Sequence, residues 1–87
     1  MVPAPAAATL DTTGLRCPLP ILKARKALAG LAPGAVLEVL ATDPGVEDDF
    51  VAFCRTAGHR LVRHGATSGV HRFLIEKADK SRVTARA

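Results

Sequence analysis

The stretch Gly14-Leu15-Arg16-Cys17-Pro18-Leu19-Pro20 sets a thiol at the point where an extended segment turns into a helix. From Pro18 to Ala29, Ile21, Ala24 and Leu28 recur at roughly helical spacing on one side, Leu31 follows, and Lys23, Arg25 and Lys26 lie elsewhere. This is the pattern of an amphipathic helix that begins near the cysteine. Proline is favoured at the first helical position, where its fixed φ suits the helix and its missing N–H would have had no partner. The spacing predicts Cys17 at the N-cap, Pro18 at N1 and Pro20 at N3. These prolines delete two of the amide donors that a helix start leaves without partners, so the thiol can hold the cap position without a Ser or Asp beside it.

A sulfur at a helix N-terminus feels the positive end of the macrodipole, which favours its thiolate form. Arg16 next door, and Lys23 and Lys26 one to two turns on, add positive potential if their heads lean toward the sulfur. Cys17 is therefore expected to be an accessible nucleophile with a pKa below the ~8.5 of a free thiol. The competing explanation is simple packing, since free cysteine is among the most buried residue types.

Working outward, Ala8 to Thr12 reads as a short strand and Thr13-Gly14 as the turn into the cysteine. The first helix stops at Gly30, a good C-terminal signal, and Pro33-Gly34 makes a turn. Ala35 to Ala41 is apolar except for Glu38, which fits a largely buried central strand. Asp43-Pro44 repeats the cap-then-proline logic with a carboxylate as cap. Val46, Phe50, Phe53 and Ala57 then give a second helix its apolar face, with Cys54 beside that stripe and Gly58 at the end. His59 to Arg63 reads as a shorter strand, His64 to Gly69 as a hairpin loop, and Val70 to Lys77 as the returning strand with Phe73 and Ile75 on one face. The order β-α-β-α-β-β predicts an α/β fold with two right-handed helical crossovers on one face of a mixed four-stranded sheet.

At 87 residues there is room for one domain with a modest core. All three aromatic residues are Phe, so that core must be largely aliphatic. Met1 to Ala7 is rich in Ala and Pro and is expected to be poorly ordered; residues 8–78 form the domain and 79–87 a basic tail. The net charge is +4, but Lys80, Arg82 and Arg86 against Asp79 put much of it in that tail, and the remainder argues against a nucleic-acid surface on charge alone. Two cysteines 37 positions apart form neither a CxxC pair nor a metal cluster. Without a basic, then apolar, leader and with no apolar run near ~18 residues, the reading is a cytoplasmic protein with reduced thiols and no membrane contact.

Leu10-Asp11, the Gly14-Leu15-Arg16-Cys17-Pro18-Leu19-Pro20 stretch, Pro33-Gly34, Asp43-Pro44 and Phe53-Cys54 together resemble, in register from about Thr9 to Lys77, the TusA/SirA family of small sulfur-carrier proteins. The resemblance implies an α+β two-layer sandwich and a role in sulfur relay. It makes Cys17 the acceptor of a sulfane sulfur as a persulfide, with Pro18 and Pro20 fixing the loop and helix start and Gly14, Leu15 and Arg16 completing the motif. It implies a cysteine desulfurase or rhodanese-type enzyme as donor and a further protein as acceptor, in tRNA thiolation, molybdenum-cofactor assembly or sulfur oxidation. Lys23 and Lys26 are candidates for contact with the anionic sulfur or an acidic partner, or else form a solvated helix face.

Other groups carry less. Cys54 reads as a packing residue. His59, His64 and His71 share no metal-ligand spacing, so neither a metal site nor a cofactor is expected. Asp43 is assigned as a cap and Glu47-Asp48-Asp49 as charge compatible with the start of a helix. The runner-up is a small RNA-interacting module, since the element order resembles the C-terminal domain of bacterial translation initiation factor three. The absence of Trp and Tyr speaks against base stacking. A thiol-redox regulator oxidised at Cys17 is the third reading.

Overall fold

The computed structural model describes residues 6–78; the expected N-terminal segment up to residue 5 and the basic tail at 79–87 lie outside the described residues. The elements follow the order β1 (Ala8–Thr12), α1 (Leu19–Ala29), β2 (Val36–Ala41), α2 (Val46–Ala57), β3 (Arg60–Thr67) and β4 (Val70–Glu76). They build one mixed sheet in the order β1-β2-β4-β3. β1 runs parallel to β2, while β4 is antiparallel to both β2 and β3. The apolar run of β2 is central, as its composition requires.

One face of the sheet and one side of each helix close a single core. Leu37, Val39 and Ala41 of β2 and Phe73 and Ile75 of β4 meet Ala24 and Leu28 of α1 and Val46, Phe50, Phe53 and Cys54 of α2. Phe50 stacks on Phe73 at 4.6 Å between ring centres, and Phe53 meets Phe50 edge-on at 6.3 Å. The three aromatic residues therefore form one cluster where α2 crosses the sheet. Cys54 has joined the buried stripe of α2, and Ala57, expected within it, is exposed. On the opposite face Thr9 donates from Oγ1 to Glu38, and Arg72 pairs with the same carboxylate, a polar ladder across β1, β2 and β4.

Both helix ends are well made. Lys77 donates from Nζ to the carbonyls of Leu31 at 2.6 Å and Ala29 at 3.3 Å, so a cation closes the C-terminus of α1. Gly58 ends α2 with φ 82°, a conformation that only glycine adopts without steric cost.

The β3–β4 hairpin differs from the expectation. His64 to Thr67 are strand, not loop, and the turn is only Ser68-Gly69, with φ of 52° and 81°. Two consecutive left-handed residues make the kind of tight turn whose twist matches that of paired strands. Gly65, read as a loop residue, instead pairs with Arg72. A bulge inserts Val62 between the pairs Leu61–Ile75 and Arg63–Leu74. Because strand side chains alternate, this extra residue turns His64 from the open face to the helix side, opposite Phe73.

Removing the Phe50 ring deletes the centre of the aromatic cluster. Phe50→Ala is expected to cost about 3–5 kcal/mol, a large part of the ~5–15 kcal/mol available to a domain. Urea unfolding should give a much lower midpoint at similar slope; a loss below about 1 kcal/mol would contradict this packing.

Candidate functional site

The loop from Thr13 to Pro18 leaves the end of β1 and is tied down residue by residue. Thr12, buried, donates from Oγ1 to the Leu40 carbonyl at 2.5 Å and so anchors the strand end. Asp11 accepts from the Thr13 N–H at 2.9 Å and the Thr13 hydroxyl at 2.7 Å, a local turn that holds its carboxyl below the usual carboxylate range. Gly14, at φ 82°, donates its N–H to the Thr42 hydroxyl at 2.8 Å. Cys17 donates its N–H to Asp43 Oδ2 at 2.9 Å, while Asp43 Oδ1 accepts from the Gly45 N–H at 2.8 Å. One carboxylate thus joins the cysteine loop to the start of α2.

Two expectations for the helix starts are corrected by this geometry. α1 begins at Leu19, with Pro18 as its half-in first residue: Leu19 donates to the Arg16 carbonyl at 2.8 Å and Leu22 to the Pro18 carbonyl at 3.0 Å. Cys17 therefore lies one residue before the cap, and Pro20, fully buried, is at N2. The Cys17–Pro18 peptide bond is cis. Asp43 does not cap α2, whose cap residue is Gly45; its oxygens are spent on Cys17 and Gly45.

Cys17 is exposed, at the end of an open groove of about 380 Å³ between α1 and α2. Ile21, Ala52, Phe53 and Ala57 line the groove with apolar surface, and Arg25 and Asp49 contribute charge. Leu19 and Leu22, 45% and 49% exposed, add large apolar side chains in the first turn of α1. Among the other motif residues, Leu15 is half-buried, and the Arg16 guanidinium helps hold Asp43 ionised. Lys23 and Lys26 are exposed on α1, and the basic residue in the groove is Arg25 instead.

The electrostatics of the thiol reverse the expectation. Asp49 accepts a hydrogen bond from the Cys17 thiol; this, slight desolvation, and the negative charges of Asp49 and Asp43 push the Cys17 pKa up. Asp43 itself is held low, first by the Cys17 and Gly45 amides. The carboxylates facing the sulfur favour its protonated form. The charges of the Cys17 motif and of α1 are all basic, and Asp49 reaches the sulfur only through the fold. A usable signal was present: β1 and β2 were both expected to feed helices, so parallel pairing would bring both helix starts, with Asp43 and Asp49, to one edge. Cys54 is buried, and burial pushes its thiol up to about 11.

A second group outside the groove was also missed. Glu47, His64 and His71 come together, one ligand atom from each lying within 4.8 Å of the others. His59 stands apart, its Nδ1 accepting from the Ala78 N–H at 2.9 Å.

A small α/β domain that presents one exposed cysteine on a tightly held loop, beside an apolar groove and with its other cysteine buried, has the construction of a thiol carrier. The family model described as sulfurtransferase TusA matches residues 8–77. The chain is 48% identical over 69 residues to the sulfur carrier protein TusA of Allochromatium vinosum, covering 79% of this chain and 91% of that one. It is 41% identical over 70 residues to the TusA of Pseudomonas aeruginosa, covering 80% and 89%. The solved SirA-like protein of Desulfitobacterium hafniense superposes with a TM-score of 0.73 at 27% identity, covering 83% of this chain and 99% of that one. The chain belongs to the TusA family and is a sulfur carrier that relays persulfide sulfur, which requires a sulfur donor and a sulfur acceptor as partners. No helix among the described residues is long and apolar enough to cross a membrane.

Replacing Asp49 by Ala removes both the acceptor of the thiol proton and a negative charge. The raised pKa should fall, so that alkylation of Cys17 at neutral pH becomes faster and the midpoint of its rate–pH profile moves to lower pH. An unchanged profile would mean that Asp49 does not govern the thiol.

Proposed function

We propose that Cys17 is the residue that accepts and donates the sulfur, as a persulfide, and that residues 8–78 form the whole carrier domain. The observation that supports this most directly is its exposure on the clamped loop at the groove, with Cys54 buried in the core. The donor is a protein persulfide of the kind formed on a cysteine desulfurase or rhodanese-type enzyme, met in a reducing cytoplasm. The acceptor belongs to tRNA thiolation, molybdenum-cofactor assembly or sulfur oxidation.

In this reading a docking donor whose cationic groups offset the Asp49 carboxylate lets Cys17 release its proton to solvent. The thiolate attacks the outer sulfur of the donor persulfide; a new S–S bond forms on Cys17 as the donor's S–S bond breaks, and the donor leaves as a thiolate that takes a proton. One sulfur atom moves and there is no net oxidation. Attack by the acceptor thiolate on the outer sulfur of the Cys17 persulfide repeats the exchange and restores the thiol. A resting thiol held protonated reacts slowly with stray oxidants, because the thiolate is the reactive form. Leu19, Leu22 and the groove offer the apolar area on which a partner can seat.

Incubation with a cysteine desulfurase and free cysteine, followed by intact-mass measurement, should add one sulfur atom to the wild-type protein and to Cys54→Ser, and none to Cys17→Ser. Unmodified wild type with several donors would defeat the assignment. Salt-sensitive RNA binding that survived Cys17→Ser would favour the RNA-interacting module instead.

A further inference from the structure

The sulfur chemistry leaves His64, His71 and Glu47 without a role. The two histidines lie on adjacent strands of the hairpin, flanking its two-residue turn, and both face α2. His64 Nε2 is 3.3 Å from His71 Nδ1, and His64 Nδ1 is 3.5 Å from Glu47 Oε2 in the first turn of α2. The His64 ring stacks on Phe73 at 4.6 Å and 7°, and the His71 ring lies within 5° of the His64 plane. Core packing thus holds His64 in place. Its side chain is 20% exposed and that of Glu47 54%, so the group opens to solvent on one side.

We propose that His64 and His71 bind a divalent first-row transition metal ion such as Zn²⁺, with Glu47 orienting His64. Imidazole nitrogens are favoured ligands of Zn²⁺ and its neighbours. Two nitrogens ~2.0–2.1 Å from one zinc ion at a tetrahedral angle stand about 3.4 Å apart, close to the separation of His64 Nε2 and His71 Nδ1. In the metal-free protein that spacing is a hydrogen bond between the two rings, and the ion takes its place with a turn of each ring. Glu47 Oε2, 3.5 Å from His64 Nδ1, favours the tautomer protonated at Nδ1, which leaves Nε2 free to ligate, the usual part of an outer carboxylate at a histidine ligand. Water or a partner's side chain completes the coordination from the open side.

The bulge at Val62 is what makes the group. In an unbulged register His64 would point to the opposite face, away from His71 and Glu47. The spacing of the histidines along the chain carries no metal signature because the two ligands are brought together across a hairpin.

The test uses tag-free protein carrying Cys17→Ser, so that the exposed thiol cannot supply the ligand. Co²⁺ should bind with one-to-one stoichiometry and a visible d–d spectrum lacking a thiolate charge-transfer band, and Zn²⁺ should displace it. In that background His71→Ala should weaken Zn²⁺ binding at least tenfold, and Glu47→Gln by about 10–100-fold. Where His64→Ala disturbs folding through Phe73, the zinc-induced shifts of the His64 and His71 ring resonances in Cys17→Ser protein carry the same test. Absence of stoichiometric binding in Cys17→Ser, unchanged affinity in His71→Ala, or unshifted histidine resonances would each overturn the proposal.

Discussion

The parallel pairing of β1 with β2 is the constraint from which the site follows. Thr12 lies beside Ala41 in the ladder, so both strands end at the same edge and both following helices start there. Two loops far apart in sequence become neighbours, and their polar groups satisfy each other: Thr42 receives the Gly14 amide and Asp43 the Cys17 amide. An antiparallel partner for β1 would have sent the second loop to the opposite end of the sheet. The cysteine would then have stood on an untethered loop.

The same convergence sets the chemistry. A helix start favours an anionic sulfur, but the neighbouring helix start is itself acidic, with Glu47, Asp48 and Asp49 in its first turn. Asp49 accepts the thiol proton directly, a hydrogen bond that exists only with the protonated form, and Asp43 adds a second negative charge. A direct bond and two nearby charges outweigh a terminal dipole felt from outside the helix. The thiol is accessible yet protonated at rest, and its activation falls to whatever relieves Asp49, such as a cationic partner group.

Local pattern made much of the fold legible. The apolar run Val36 to Ala41, the helical stripe Val46-Phe50-Phe53 and the Gly30 and Gly58 stops depend on neighbours a few residues away, and periodicity reports those. The Cys17 motif was equally visible, because it is short and continuous. What could not be read depended on contacts between distant segments or on a one-residue irregularity. Asp43 reads locally as a cap because its link to Cys17 crosses 26 positions of chain. Gly65 reads locally as a loop residue because its partner, Arg72, lies across the turn. The Val62 bulge leaves no mark in the hydrophobic pattern, yet it decides which face His64 occupies.

The ionisation of one sulfur is the property on which the site turns. Titrating the Cys17 Cβ resonance of wild-type protein by carbon NMR, from neutral to strongly alkaline pH, reads that equilibrium without a reactive probe, with Cys54, whose pKa burial pushes up, as an internal comparison. The Cys17 midpoint is expected above that of a free cysteine thiol. A midpoint at or below the free-thiol value would show that the helix start, not the converging carboxylates, controls the sulfur.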